Sequence, residues 1–221
     1  MTDFQQQVQF QSPSPSKLFT PAVTVILVLM VISLVLSLFP VIPVGDLFGL
    51  SRQGLMRGMV WQLVTYTVVN PSPMQLVFSG LAVLFLGSTI ERQWRTLSFV
   101  FLWLVVSLVC GLAWILLDTM LGSNAIAVGA NACVYGMLGT FGVLFRRRRF
   151  FMFFATIETK YLIWIFIAIG ILMALSQPIS LVWILGAPVG YGYTKLIWKI
   201  RSERAVTVND NTQTSRFADL D

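Results

Sequence analysis

Val128-Gly129-Ala130-Asn131-Ala132-Cys133-Val134-Tyr135-Gly136-Met137-Leu138-Gly139 is an apolar segment dense in small residues, with a single amide side chain at Asn131. Ala132, Gly136 and Thr140 recur every four residues. That spacing puts small residues on one helical face and lets a second helix approach closely. Asn131 is a polar group that a membrane interior penalises unless it finds a partner. The segment reads as a core helix of a membrane bundle, and the nature of Asn131 decides what the bundle can do.

Working outward, 57% of the 221 residues are hydrophobic and 11% charged, whereas soluble domains carry about 25% charged residues. Mean hydropathy is +0.81. Long apolar runs predict an integral membrane protein, with room for six spans of roughly 20 residues. The chain has no histidine. This excludes Ser-His and Cys-His catalysis and any histidine-ligated metal site. No cofactor or metal is implied. Cys110 and Cys133 both fall inside apolar runs, where single thiols behave as small hydrophobes. The net charge of +6 comes from basic residues in the loops beside the spans, a membrane-topology pattern that argues against a nucleic-acid partner.

Residues 1–17 are Gln-, Ser- and Pro-rich and predict a disordered cytoplasmic tail. Residues 18–198 form the membrane domain, with spans expected at 18–39, 73–90, 97–117, 126–145, 160–175 and 179–198. The loop at 40–72 holds Arg52, Arg57, Trp61 and Tyr66 among apolar residues. It reads as a structured segment lying in the membrane interface. Asp118 to Asn124 reads as a polar turn, Phe150 to Thr159 as an aromatic interfacial stretch, and 199–221 as a polar cytoplasmic tail. Pro188 predicts a kink in the sixth span. Every basic residue except Arg52 and Arg57 falls on one side of this layout, which places both termini in the cytoplasm. The fold class is an all-α membrane protein, a bundle of six transmembrane helices.

In that layout the second, fourth and sixth spans begin on the non-cytoplasmic side. At about 1.5 Å per residue, Gln75, Ser79, Asn131 and Ile184 lie roughly 3–9 Å below that interface. Gln75 and Ser79 share a helical face. With the three helices as neighbours, Gln75, Ser79 and Asn131 form one polar cluster open to the outside. Gly186, Gly190 and Gly192 give the sixth span a flat face that suits Gly136 and Gly139 of the fourth.

Several motifs together resemble the rhomboid family of six-span intramembrane serine proteases. They are Trp61-Gln62-Leu63-Val64-Thr65 before the second span and Gly87 to Glu91-Arg92 at its end. Gly129-Ala130-Asn131-Ala132 with Tyr135-Gly136 lies in the fourth span, and Leu185-Gly186 in the sixth. The resemblance runs from about residue 18 to 198 and implies the rhomboid-like fold. It also marks systematic departures. Active rhomboids carry Gly-x-Ser-Gly in the fourth span, and the position of the nucleophilic serine is Asn131 here. The position of their histidine base is Ile184. The two oxyanion donors of the second span align with Gln75 and Ser79, and the loop Trp-Arg pair with Trp61-Gln62.

The chemistry agrees. Serine hydrolysis needs a hydroxyl activated by a base, and an asparagine amide is neither. Cys133 lies two positions beyond Asn131, about 200° around the helix, and points elsewhere. The resemblance therefore implies a catalytically inactive, rhomboid-like pseudoprotease, although the family itself carries serine endopeptidase activity. Inactive relatives bind transmembrane segments of client proteins as adaptors or chaperones in membrane-protein quality control or degradation. Partners implied are transmembrane segments, a membrane protease or degradation complex, and the lipid bilayer. The client groove would comprise Gln75, Ser79, Asn131 and Trp61, and helix packing would fall to Gly129, Ala132, Gly136, Gly139, Gly186 and Gly190. A structural reading, in which the amides tie the second and fourth helices together, is compatible with this. The location implied is a bacterial inner membrane, with a eukaryotic endomembrane as the alternative. Two other functions stay open: an endopeptidase with an unusual nucleophile, and a structural subunit of a larger membrane complex. The register carries its own test. Cysteines placed at 131 and 184 are expected to crosslink in the membrane, and refusal to do so would show the alignment of the two spans to be wrong.

Overall fold

The computed structural model describes residues 19–39, 42–144, 149–152, 155–158 and 178–199. The span expected at 160–175 and the tails at 1–17 and 200–221 lie outside the described residues. The described chain is mostly helical. Helix α1 (Pro21–Ser37) has proline at its first position, where a missing N–H costs nothing. Its start is held by Glu91, far away in sequence and only 3% exposed. The Glu91 carboxylate accepts from Thr20 Oγ1 at 2.5 Å, from the Ala22 and Val23 N–H groups at 3.1 Å each, and from Thr96 Oγ1 at 2.7 Å. One carboxylate thus satisfies two of the N–H groups that a helix start leaves without a helical partner.

Three short helices, α2 (Val44–Phe48), α3 (Arg52–Met56) and α4 (Gln62–Thr65), fill the first loop. The second span is α5 (Pro73–Ala82), a π-helical turn at Val83–Gly87 and α6 (Ser88–Trp94). The Ser88 and Thr89 hydroxyls donate back to the Leu84 and Phe85 carbonyls, so neither is left bare in the apolar helix. Pro73–Trp94 and α7 (Thr96–Leu121) are both long and apolar enough to cross a membrane, and α1 and α8 (Asn131–Leu144) are shorter apolar helices.

Four boundaries differ from the sequence reading. The second span continues through Glu91 to Trp94 and breaks at Arg95, where φ is 80°. The third continues past Asp118 to Leu121 and ends on Gly122 in the left-handed conformation. Asp118 is therefore no turn residue. It is 1% exposed in the last turn of α7, and its Oδ1 accepts from Ser123 Oγ and from the Ala125 N–H. The fourth span starts at Asn131 instead of 126. Ala127 and Leu50 exchange backbone hydrogen bonds of 2.9 and 2.8 Å in an antiparallel bridge, and Gly129 has φ 106°. Neither conformation belongs in a helix. The segment expected as the sixth span is a 3-10 helix, Pro178–Leu185, followed by α9 at 186–199. Pro188 falls in the first turn of α9, where its missing N–H has no helical partner to lose. The expected mid-helix kink is thus replaced by a change of helix type before it. In the stretch read as aromatic and interfacial, β1 (Arg149–Met152) pairs antiparallel with β2 (Ala155–Glu158).

Helix α8 is the centre. Ala132 through Leu138, Thr140 and Phe141 are all buried, so it is enclosed on every side. Val106 of α7 lies against Gly136, where an added Cβ would stand 2.6 Å from the valine Cγ2. On another side the backbone of α9 arrives. A Cβ on Gly190 would stand 1.9 Å from Gly136 O, one on Gly139 1.9 Å from Ala187 O, and one on Gly186 2.3 Å from Ala132 O. The Thr140 and Thr194 hydroxyls both donate to Gly190 O, at 3.2 and 2.7 Å.

This contact discriminates between neighbouring glycines. Gly190→Ala pushes a methyl into backbone and is expected to destabilise the protein by about 1–3 kcal/mol. Gly192 faces open space, and Gly192→Ala is expected to stabilise α9 by about 0.5–1 kcal/mol. Denaturant unfolding of the two variants in micelles measures both signs.

Candidate functional site

The first turns of α5 and α8 meet over Gly129. Ser72 caps α5, its hydroxyl accepting from the Gln75 N–H at 3.3 Å. Pro73 follows at the first helical position. The Gly129 N–H donates to Tyr66 O at 2.9 Å, and its φ of 106° turns the chain into α8. The Ala130 carbonyl then accepts the first helical bond, from the Val134 N–H at 2.9 Å. Asn131 is thus the opening residue of α8, not a residue one turn inside a longer span. A Cβ on Gly129 would stand 2.1 Å from Gln75 Nε2 and 3.8 Å from Asn131 Nδ2. Both side-chain amides therefore converge on the space that glycine leaves open.

Gln75 and Asn131 are each half-buried. Neither side-chain amide has a hydrogen-bond partner among the described residues. The amides therefore do not tie α5 to α8 through a bond between them. Ser79 turns the other way. It is 5% exposed, and its hydroxyl lies 2.6 Å from Gln75 O and 3.2 Å from Asn70 Oδ1. The expected triad of Gln75, Ser79 and Asn131 is thus a pair over Gly129, with Ser79 joined to Asn70 instead.

Asn70 escapes a reading by spans. It is fully buried, donates from Nδ2 to Val68 O at 3.1 Å, and its N–H donates to Ser33 Oγ at 3.3 Å. The available signal was the Asn70-Pro71 dipeptide, a turn marker at the mouth of the second span. Ile184 is partly buried and packs against the core, and Gly186 beyond it touches the first turn of α8. Cys133 faces α7, with Sγ 3.8 Å from Trp103 O, and both cysteines are free and buried.

The loop residues are organised separately. Trp61 is 49% exposed and donates from Nε1 to Leu47 O at 3.1 Å. Among the described residues no hydrogen bond or ring contact joins it to Gln75, Ser79 or Asn131. Its neighbour Gln62 is fully buried and stitches the loop together. Gln62 Oε1 accepts from the Ser51 N–H at 3.2 Å, and Nε2 donates to Asp46 O at 2.8 Å. Gly54 has no room for a Cβ, which would stand 2.1 Å from Gln62 Oε1. Gln62 is thus a buried amide serving its own loop.

Residues 57–200, well over half of the chain, match the family model for the rhomboid domain. The chain belongs to the rhomboid family. No curated protein matches it. It is accordingly a rhomboid-family intramembrane protein, of a family that is normally a serine protease. The match covers α4 to α9, with Gln62, Gln75, Ser79, Gly129, Asn131 and Ile184, and leaves α1, α2 and α3 outside.

In this rhomboid the site holds two carboxamides, which donate and accept hydrogen bonds without ionising. Among the described residues no cluster of His, Cys, Asp and Glu could hold a metal ion. The site rests on a backbone conformation more than on its side chains. Gly129→Ala is expected to cost about 1–3 kcal/mol, because an L side chain at that φ is strained. The contact with Gln75 involves only the flexible end of a side chain. Adding Gln75→Ala should therefore leave the loss in place, and a thermal-unfolding comparison of the single and double variants checks this.

Proposed function

We propose that this rhomboid is a six-span pseudoprotease with both termini in the cytoplasm, binding transmembrane segments of client membrane proteins as an adaptor or chaperone without cleaving them. The observation that carries the reading is the substitution at the reaction centre. Asn131 stands at the nucleophile position, Ile184 at the base position, and the chain has no histidine. Serine hydrolysis by the family mechanism needs both a hydroxyl and a base.

What is left in the site supports a binding role. Gln75 and Asn131 hold hydrogen-bonding groups with no partner among the described residues, at a place where two helix starts meet. A client helix with exposed polar groups, or with backbone groups freed by a helix breaker, has donors and acceptors to match them. In a membrane such pairs are worth about 0.6–2 kcal/mol each. Selection of a client would then depend on polar or helix-breaking residues in its span, and handing it on to a membrane protease or degradation complex would make the protein part of quality control.

Site-specific photocrosslinking from position 131 in intact membranes tests this. The expected adducts are transmembrane segments of several different proteins, each in substoichiometric amount. One partner in fixed ratio would instead identify a structural subunit. Labelling of the purified protein by a serine-hydrolase probe, lost in a Ser79 or Cys133 variant, would establish an endopeptidase and end the adaptor reading.

A further inference from the structure

The first loop carries a second polar site at some remove from Asn131. An open depression of about 320 Å³ lies between α2, α3 and the segment after α7, within the size range of small-ligand sites, ~300–1,000 Å³. Its polar lining is Asp46, Ser51, Arg52, Gln53, Arg57 and Asn124. Arg52 and Arg57 are the two basic residues that stand apart from all the others in the chain. Neither guanidinium has a hydrogen-bond or ion-pair partner among the described residues. Among the described residues Asp46 is the only carboxylate lining the depression, so two guanidiniums face one acid and the site favours an anion. Guanidinium groups suit phosphate in particular, because their N–H donors form paired bonds to its oxygens.

The lining also holds Met59, Ala125 and Ile126, the last 43% exposed, and Met56, Val60 and Trp61, which neighbour Arg57 in the chain, are 77%, 64% and 49% exposed. A cationic depression whose own segments carry exposed apolar side chains, in a membrane protein, matches an amphipathic ligand whose head is anionic and whose body is hydrocarbon. We infer that this depression binds the phosphate of an anionic phospholipid headgroup, with Arg52 and Arg57 as its ligands and the exposed apolar side chains of the same segments against the acyl chains. Asp46 sets the selectivity by opposing excess negative charge. The site does not depend on whether the Asn131 region binds clients.

The full-length protein in neutral detergent provides the test, with unfolding midpoint and tryptophan fluorescence followed during titration. Dihexanoyl phosphatidylglycerol is expected to raise the midpoint saturably, and dihexanoyl phosphatidylcholine to do so far less. Arg52→Gln with Arg57→Gln should weaken the phosphatidylglycerol affinity by about tenfold or more, since it removes charge-assisted bonds to phosphate. Asp46→Asn should tighten it about threefold by removing a nearby like charge. Asp46 serves the loop through its backbone carbonyl, so this variant keeps the fold and decides the matter even when the arginine variant does not fold. Saturation by inorganic phosphate at the same concentration would make this a free-anion site and overturn the lipid assignment. Tighter binding of a tetraglutamate peptide than of the lipid would assign the surface to acidic protein segments instead. Unchanged affinity in Asp46→Asn, or in a folded arginine variant, would overturn the proposal.

Discussion

At Gly136 and Gly190 the backbones of α8 and α9 come closer than side chains permit, and an added Cβ on Gly190 would stand 1.9 Å from Gly136 O. In a membrane, apolar side chains gain little by leaving lipid for protein. Helices hold together by close dispersion contacts and by hydrogen bonds. Small residues allow both here. They let the helices touch along Ala132, Gly136 and Gly139, and they let Thr140 and Thr194 reach the Gly190 carbonyl. The same Gly136 receives Val106 from α7. The central helix can be enclosed on all sides because its own side chains take up so little space.

The second support is polar, and it follows a rule. Glu91 joins α1 to the junction of α6 and α7. Gln62 joins α2, α3 and α4. Tyr66 donates to Ser107 O while Ser107 donates back to Leu63 O, fastening the loop to α7. Ser33 donates to Val68 O and accepts from Asn70. Each of these groups is buried and partnered across a long sequence separation, because an unpartnered buried polar group is costly. The amides of Gln75 and Asn131 stand outside this pattern. They are half-buried, converge on Gly129, and keep their hydrogen-bonding groups unspent among the described residues. That contrast separates polar residues that build the fold from two amides that take no part in holding it together.

Composition and periodicity made the helical membrane character and the central place of the Val128–Gly139 stretch legible. The motif positions made the rhomboid family legible. Helix ends were not. Asp118 looked like a turn residue because it is charged, and only its contacts with Ser123 and Ala125 show how a last helical turn accommodates it. Ser79 shares a helical face with Gln75, yet its hydroxyl bonds to Asn70, a residue from the loop. Spacing along one helix says which side chains lie on one face. It says nothing about which segment arrives to meet them.

By itself, then, the sequence determined the residue chemistry: which positions are apolar, which carry amides, that the chain has no histidine, and where glycine removes the side chain. These are local properties, carried by each residue wherever the chain goes. Only the tertiary structure decided that Asn131 opens a helix instead of lying within one. The cause is the pairing of Ala127 with Leu50 and the backbone turn at Gly129, and both depend on a loop from the other end of the domain. The same loop folds around Gln62 and leaves Arg52 and Arg57 facing one depression. Partners so far apart along the chain meet only through the energy of the whole packing, which no single segment encodes.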